Sequence, residues 1–599
     1  NAGGPAVLAT DALIGGGGEL APLPPETLSA LDAILPAAWS HANPVDILGD
    51  ADAQRYREAV EVATRNANSD GLLVVLTPQD MTEPTETAEA LRPFAEQRDR
   101  PVLASWMGGP LVEQGTQLLQ AAGIPTFSYP DAAVRMFNYL WRYAENLRHL
   151  YQTPALPDDA ESSMNRQAAQ AVVSAARDAG RTLLTEVESK QLLAAYGIPV
   201  AETRVASSEA DAVAAATEIG FPVVVKLHSG TITHKTDVGG VQLNLTDAEA
   251  VRRAYRSIRS SLEGRGEADA FEGVTVQPMI NYTGYELILG SSIDAQFGPV
   301  LLFGLGGTLV EVLRDRAVAL PPLNTTLAHR LMEQTKVFAA LAGVRGRRPV
   351  DLAALELLLA RFSQLVVELP RIAEIDINPL LASAEGLMAL DARVVLHPAS
   401  VPDAELPQPA IRPYPRRYVG EWTARDGSRF LIRPIRPEDE PLMVRFHGLL
   451  SEETVYARYF TYLKLSERTA HERLTRICFI DYDREMALVA EAVPAGGEGE
   501  RQIAAVGRLS KAHGRNEAEF AVLVADPWLR RGLGSELLRR LVEVGRDEGV
   551  ELITAEMQAA NVPMQRASRR NGFTLRPVAG DPSVLRAELR LPSLDSSGE

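Results

Sequence analysis

The sequence predicts a multidomain α/β chain, and three observations carry that expectation. At 599 residues the chain exceeds what a single core organises. Short apolar runs, Gly71–Thr77 (GLLVVLT) and Pro101–Trp106 (PVLASW), read as buried parallel strands, with helical stretches at about 83–98 and 110–122 around them. Two polar, proline-bearing stretches, 150–165 and 397–415, break the pattern. The expected divisions are therefore 1–155, 156–396, a stiff proline-rich linker 397–415, and 416–599.

Composition narrows the class. With 46% hydrophobic and 23% charged residues the chain reads as globular, and no apolar run approaches the ~20 residues that span a bilayer. No membrane or secretory route is expected, and the single cysteine, Cys478, suits a reducing cytoplasm. The net charge of −18 argues against nucleic acid as a partner. A homo-oligomer remains open. Lysine is scarce: Lys190, Lys226, Lys235, Lys336, Lys464 and Lys511 are the six among 60 basic residues, so a lysine here calls for a specific reason.

Strand and helix alternation over residues 1–155 suggests a doubly wound, flavodoxin-like domain. The opening Asn1-Ala-Gly-Gly-Pro5 and Asn43-Pro-Val-Asp46 resemble the CoA-ligase domain of ADP-forming acyl-CoA synthetases. In that family a CoA-binding domain and a phosphohistidine loop lie upstream. The chain opens mid-pattern without a methionine, so a missing N-terminal part is expected.

A second unit opens with a helix at 186–196. An apolar strand ends in Lys226, and His234-Lys235-Thr-Asp-Val-Gly-Gly240 follows. Then come Val276–Met279, Tyr285–Gly290, the glycine loop Phe303-Gly-Leu-Gly-Gly-Thr308, Asp376-Ile-Asn378-Pro, and Asp391. This order resembles the ATP-grasp domain of succinyl-CoA synthetase-like ligases. The resemblance implies ATP/ADP contacts from Lys226, Gln277, Met279 and Glu286, and a Mg²⁺ site at Asn378 and Asp391. The chemistry agrees: an ammonium meets phosphate as a point charge, and Mg²⁺ takes hard oxygen ligands. Gly304, Gly306 and Gly307 could form an amide-lined phosphate nest. His234 stands where the family relays a phosphoryl group.

In the last unit, Phe520, Val522 and Val524 alternate as a strand that Pro527 ends. Leu533, Leu537 and Leu541 then follow helical spacing, with Arg530-Arg531-Gly532-Leu533-Gly534-Ser535 at the join. Glycines admit close backbone approach, the first helical N–H groups lack internal partners, and two arginines favour an anion. With Asn561 and Phe573 downstream, the segment 430–591 resembles the GNAT acetyltransferase superfamily, although Leu529 replaces that family's usual Gln or Arg. The resemblance implies acetyl-CoA held by Leu523, Val524, Arg530, Arg531, Gly532, Gly534, Ser535 and Asn561. It also implies Glu519 as catalytic base, with Glu517 as competitor, and Ser568 where many relatives carry a tyrosine acid. The glycine- and glutamate-rich connection 493–501 is expected to be mobile.

The fusion of a synthetase-like body with a GNAT domain resembles bacterial protein lysine acetyltransferases of the Pat type. That implies transfer from acetyl-CoA to lysines of metabolic enzymes such as acetyl-CoA synthetase, with the large part regulatory. An ADP-forming acyl-CoA ligase with an accessory GNAT domain is the alternative, and a binding scaffold without turnover is a third.

Overall fold

The computed structural model describes every residue except 2, 98–99, 155–163, 233–234, 281–282, 308–313, 345, 347, 494–499 and 593–599. The chain divides into two compact units, Asn1–Leu150 and Tyr151–Glu599.

In the first unit β1 (Leu72–Leu76), β2 (Val102–Trp106) and β3 (Thr126–Phe127) form a parallel sheet in that order. All five residues of β2 are buried, as expected of a parallel strand covered on both faces. Leu76, Ala104 and Trp106 join Tyr56, Leu91 and Leu119 from the flanking helices in one core. The helix expected over 83–98 runs only Pro84–Leu91 and tightens into a 3₁₀ turn, Arg92–Glu96, because Pro93 cannot donate to the helical ladder.

Among the described residues the second unit holds three sheets. The smallest contains β4 (Arg204–Ala206), β5 (Val223–His228), β6 (Val241–Leu245) and β7 (Gly273–Pro278), in the order β4-β7-β5-β6. Helices Glu209–Ile219 and Ala248–Arg265 share its core through Ala212, Ala216, Ile258 and Leu262. The next sheet is built from β8 (Tyr285–Asp294), β9 (Gly298–Leu305), β10 (Arg316–Ala319), β11 (Ile372–Ser383), β12 (Gly386–Ala389) and β13 (Ala392–Leu396). The helix Leu352–Glu368 buries Leu355, Phe362 and Leu365 in the same core.

The last sheet has eight strands: β14 (Gly420–Thr423), β15 (Arg429–Pro434), β16 (Glu485–Val493), β17 (Gln502–Lys511), β18 (Glu517–Val524), β19 (Leu552–Gln558), β20 (Thr574–Val578) and β21 (Asp581–Arg590), in the order β14-β15-β16-β17-β18-β19-β21-β20. Its two faces carry separate cores. Phe520 and Val522 pack with Leu533, Leu537 and Leu541 of the helix Leu533–Asp547. Ala487, Val489, Val506 and Leu523 pack with Phe446 and Leu474.

The proline-rich stretch 397–415, expected as a stiff spacer, is bonded to the last domain at its end. Arg412 donates to Glu548 Oε2 at 2.9 Å and to Tyr482 O at 2.8 Å, and the buried Tyr414 hydroxyl donates to Pro434 O at 2.9 Å. Paired polar groups seat its end on the last domain. Residues 494–499, within the connection expected to be mobile, lie outside the described residues. Among the described residues no helix is long and apolar enough to cross a membrane.

Candidate functional site

Two regions concentrate the expected site residues. The first centres on Glu186, which opens the helix Glu186–Ala195. Thr185 caps that helix: its hydroxyl accepts from Glu188 N while Glu188 reaches back to Thr185 N, a reciprocal capping box. The cap aims Glu186 inward, where only 6% of the residue is exposed. Lys190, one turn on, lies 3.0 Å from Glu186 Oε1; Lys226, on β5, lies 3.0 Å from the same oxygen; Lys235 pairs with Oε2. Gln277, on β7, donates to Oε1. Three of the six lysines therefore converge on one buried carboxylate.

Burial opposes ionisation of Glu186, but Lys226, Lys235 and Lys190 outweigh it and hold its carboxyl well below the usual range. Burial pushes the Lys190 ammonium down to about 8 against the pull of Glu186. Lys226 is buried too, yet Glu186 and Asp391 keep its pKa above the ordinary lysine value. Its Nζ also donates to Leu390 O at 3.0 Å and sits 3.5 Å from Asp391 Oδ2. Three ammoniums face two carboxylates, so the cluster carries an excess positive charge in a desolvated place. That arrangement favours a polyanion.

Ile377 of β11 pairs with Ala392 of β13, so Asn378 and Asp391 are each one residue from that pair. Asn378 Oδ1 accepts from Gly307 N at 3.3 Å. Among the described residues no group of three His, Cys, Asp or Glu side chains could hold a metal ion. Two oxygen donors beside a polyanion site do fit Mg²⁺, which keeps waters and takes phosphate oxygens for its remaining positions.

The glycine loop is only in part a nest. A Cβ on Gly304 would lie 2.2 Å from Asp315 O and one on Gly306 2.5 Å from Leu287 C, so close strand packing explains both glycines. Gly307, at φ +75°, is the one in left-handed conformation, and it sits against the Glu286 carboxylate. Glu286 itself is exposed on β8, and Met279 N donates to Pro222 O just past β7. His234 and Thr308 lie outside the described residues.

The second region is the turn into the helix Leu533–Asp547. Arg530 and Gly532 both hold left-handed backbone, at φ +62° and +95°, on either side of Arg531. Alternation of this kind turns successive N–H groups toward one point. Gly532 O takes the N–H of Ser535 and Glu536, leaving the earlier amides of the helix without an internal partner. A Cβ on Gly534 would lie 3.6 Å from Val524 Cγ2 and 3.8 Å from Val522 Cγ1, so packing against β18 does not itself demand glycine there. β18 pairs with β19 only through Glu517–Glu519 and Leu552–Thr554; beyond that the strands part, so Leu523 and Val524 line a wedge that opens at the turn.

Side chains at this turn are less available than its backbone. Arg531 is committed to Asp426 at 2.7 Å and Ser428 at 2.8 Å, with its guanidinium 4.8 Å above the Trp528 ring. Arg530 is exposed. Ser535 O and Oγ accept from Asn571 Nδ2, a contact that sequence reasoning missed. Asn561 caps the helix Val562–Arg570, its Oδ1 accepting from Met564 N at 3.2 Å. Glu519 is exposed on β18, opposite Ser510 and Thr554, while Ser568 is fully buried.

Behind the wedge, Arg433 is buried with both Asp439 oxygens at 2.7 Å and Glu491 at 2.8 Å. Arg501 and Arg433 hold the Glu491 carboxyl down at about 2, against the burial that would raise it.

The second unit thus joins a buried lysine cluster to an eight-stranded sheet with an amide-lined turn, two arrangements suited to phosphate-bearing ligands. Comparison with known proteins agrees. The Ligase-CoA domain family matches residues 1–149, the ATP-grasp domain family 175–396, and the acetyltransferase (GNAT) domain family 429–574. The chain is 40% identical over 229 residues to the Pyrococcus furiosus "Acetate--CoA ligase [ADP-forming] I subunit beta", covering 38% of this chain and 97% of that protein. It is 36% identical over 396 residues to the Archaeoglobus fulgidus "Acetate--CoA ligase [ADP-forming] I", covering 66% of this chain and 56% of that one. A solved "dinucleotide forming Acetyl-coenzyme A synthetase 1" from Ca. Korarchaeum cryptofilum, in complex with coenzyme A, Ca-AMPCP and HgCl+, is 42% identical and covers 38% of this chain and 100% of that chain at a TM-score of 0.37. The chain belongs to the ADP-forming acetate–CoA ligase family, in a form with a C-terminal GNAT domain. It spans about half the length of the longer curated relatives it matches, 56% in two cases.

These relatives correct the functional expectation. Protein lysine acetylation was the first reading of the fusion, with the synthetase-like body only regulatory. The named relatives across the Ligase-CoA and ATP-grasp domains are ADP-forming ligases, which places ligase chemistry first.

Proposed function

We propose that the chain works in an ADP-forming acyl-CoA ligase, interconverting a carboxylate, CoA and ATP with an acyl-CoA, ADP and phosphate. The observation that carries this reading is the similarity to acetate–CoA ligases that runs through both domains of the body over 396 residues. Lys226 and Lys235 would receive the nucleotide phosphates, Gln277, Met279 and Glu286 would border the nucleoside, and Asn378 with Asp391 would hold Mg²⁺. Such an ion neutralises phosphate charge. Ammoniums already fixed and desolvated lose little orientational freedom when a phosphate arrives, which is the advantage of an arranged electrostatic site. The GNAT domain would hold acetyl-CoA, with the diphosphate on the amides around Gly532 and Gly534 and the pantetheine in the wedge beside Leu523 and Val524.

The test has two parts. Calorimetric titration with Mg-ADP should show binding that Lys226→Met weakens, and a coupled assay with acetate, CoA and ATP should release ADP in step with acetyl-CoA. Absence of nucleotide binding in the parent chain would sink the proposal.

A further inference from the structure

The helix Val562–Arg570 lies in an acid-free run of the chain. Residues 557–580 contain no aspartate or glutamate, although 78 acidic residues in 599 would place about three in such a run. They contain Arg566, Arg569, Arg570 and Arg576 instead. Arg566, Arg569 and Arg570 are exposed, and none of the three guanidiniums has a partner among the described residues. Two arginines of the neighbouring helix Leu533–Asp547 differ: Glu536 holds Arg539 at 2.7 Å and Arg540 at 2.9 Å. The patch therefore stays positive in a chain whose net charge is −18.

Packing and one side chain fix where this patch lies. Met564 packs against the core shared with the helix Leu533–Asp547, and Ser568 is fully buried, which leaves positions 566, 569 and 570 on the outer face. Asn571, next after the helix, donates its Nδ2 to Ser535 O at 3.2 Å, to Ser535 Oγ at 3.3 Å and to Ala567 O at 2.9 Å. One side-chain amide thus staples the arginine-bearing end of one helix to the first turn of the other, beside the amides around Gly532 and Gly534. Arg570 is one Cα–Cα step, about 3.8 Å, from that staple, and Arg569 is one step further.

Coenzyme A brings three phosphates to such a place. Its 3′-phosphate sits on the same ribose whose 5′ oxygen bears the diphosphate, so a diphosphate on the amide turn holds the 3′-phosphate one sugar ring away. A phosphate monoester is close to a dianion at neutral pH and is stabilised by cations. Arg531 is already held by Asp426 and Ser428. Guanidinium forks match phosphate oxygens in pairs, and an uncommitted arginine can turn to one without breaking an existing ion pair. Arg569 and Arg570 also complement the C-terminal end of their own helix, an effect that does not depend on which ligand is bound.

We infer that Arg569 and Arg570 bind the 3′-phosphate of the CoA thioester, with Arg566 one turn back adding to the field, so that the GNAT domain selects CoA over its 3′-dephospho form. The inference rests on the reading of the Gly532 turn as the diphosphate site and adds the specificity of that site.

The experiment titrates the full chain calorimetrically with acetyl-CoA and with acetyl-3′-dephospho-CoA, and repeats both on Gly532→Val to mark the binding that belongs to the GNAT domain. Acetyl-CoA should bind there about tenfold more tightly at low salt. In the double variant Arg569→Gln/Arg570→Gln the preference should fall to within about twofold, with the dephospho affinity unchanged, and in the parent chain it should shrink at 0.5 M NaCl, where exposed charges are screened over about 4 Å. Equal affinity of the parent chain for the two ligands, with both weakened by Gly532→Val, would overturn the inference and leave the acyl-CoA reading standing. Binding that Gly532→Val leaves untouched would overturn both. A preference that survives in the double variant, or one that Arg530→Gln alone removes, would place the 3′-phosphate elsewhere and overturn the inference.

Discussion

The two anion-ready regions solve one problem by opposite means. Around Glu186 the charge resides on side chains, buried and tied to an internal counter-ion before any nucleotide arrives. Around Gly532 it resides on the backbone: left-handed residues turn amides outward, and the nearby Arg531 is already spent on Asp426. A side-chain cluster delivers full charges but must be compensated when empty, because isolated buried ions are costly. An amide turn delivers partial charges and needs no compensation, since helix N-termini are readily solvated. The first kind of site is therefore coupled to fold stability, and the second is not.

Breaking that contrast is most direct at Glu186. Glu186→Ala leaves three buried ammoniums facing one another and should destabilise the ATP-grasp region by about 3–5 kcal/mol. Urea unfolding reads this, and a loss under about 0.5 kcal/mol would show that the lysines are not held by that carboxylate. Lys226→Met should weaken Mg-ADP binding about 10–100-fold by calorimetry, in line with the loss of charge-assisted hydrogen bonds. Gly532→Val forces a β-branched residue into left-handed backbone, a strain of about 1–3 kcal/mol. It should weaken acetyl-CoA binding about tenfold without lowering the stability of the ATP-grasp region, and an unchanged affinity would place the diphosphate elsewhere.

Smaller effects sharpen the picture within the GNAT domain. The folded Glu491 carboxyl sits at about 2, below its unfolded value near 4.5, so its stabilisation is complete above about pH 4.5 and disappears as the pH falls toward 2. Thermal unfolding across that window should show an acid-labile part of about 1–3 kcal/mol that Glu491→Gln removes. Smallest of all, Glu519→Gln should leave acetyl-CoA affinity within about twofold, because Glu519 is an exposed residue of β18 apart from the amide turn. A large loss of binding would bring Glu519 into the thioester site itself.

Legibility followed the range of the interactions. The strand Glu517–Val524 and the helix Leu533–Asp547 were visible because alternation and helical spacing are local patterns that a core enforces residue by residue. Pro93 shortened its helix through a local rule that a broader pattern match had overridden. Glu186 was missed because a carboxylate in the first turn of a helix looks like an ordinary dipole partner. The available signal was lysine scarcity, with three of six lysines at 190, 226 and 235.

The sequence by itself determined the α/β class, the order of the domains and the glycine turn, because hydrophobic period, helix starts and left-handed backbone are properties of neighbouring residues. Only the tertiary structure decided that Lys226 would point at Glu186 rather than into solvent, that Arg531 would turn to Asp426, and that β18 and β19 would part beyond Glu519. Those outcomes depend on which charges and strands the fold brings within a few ångströms, and electrostatics and packing act on that distance, whatever the separation along the chain.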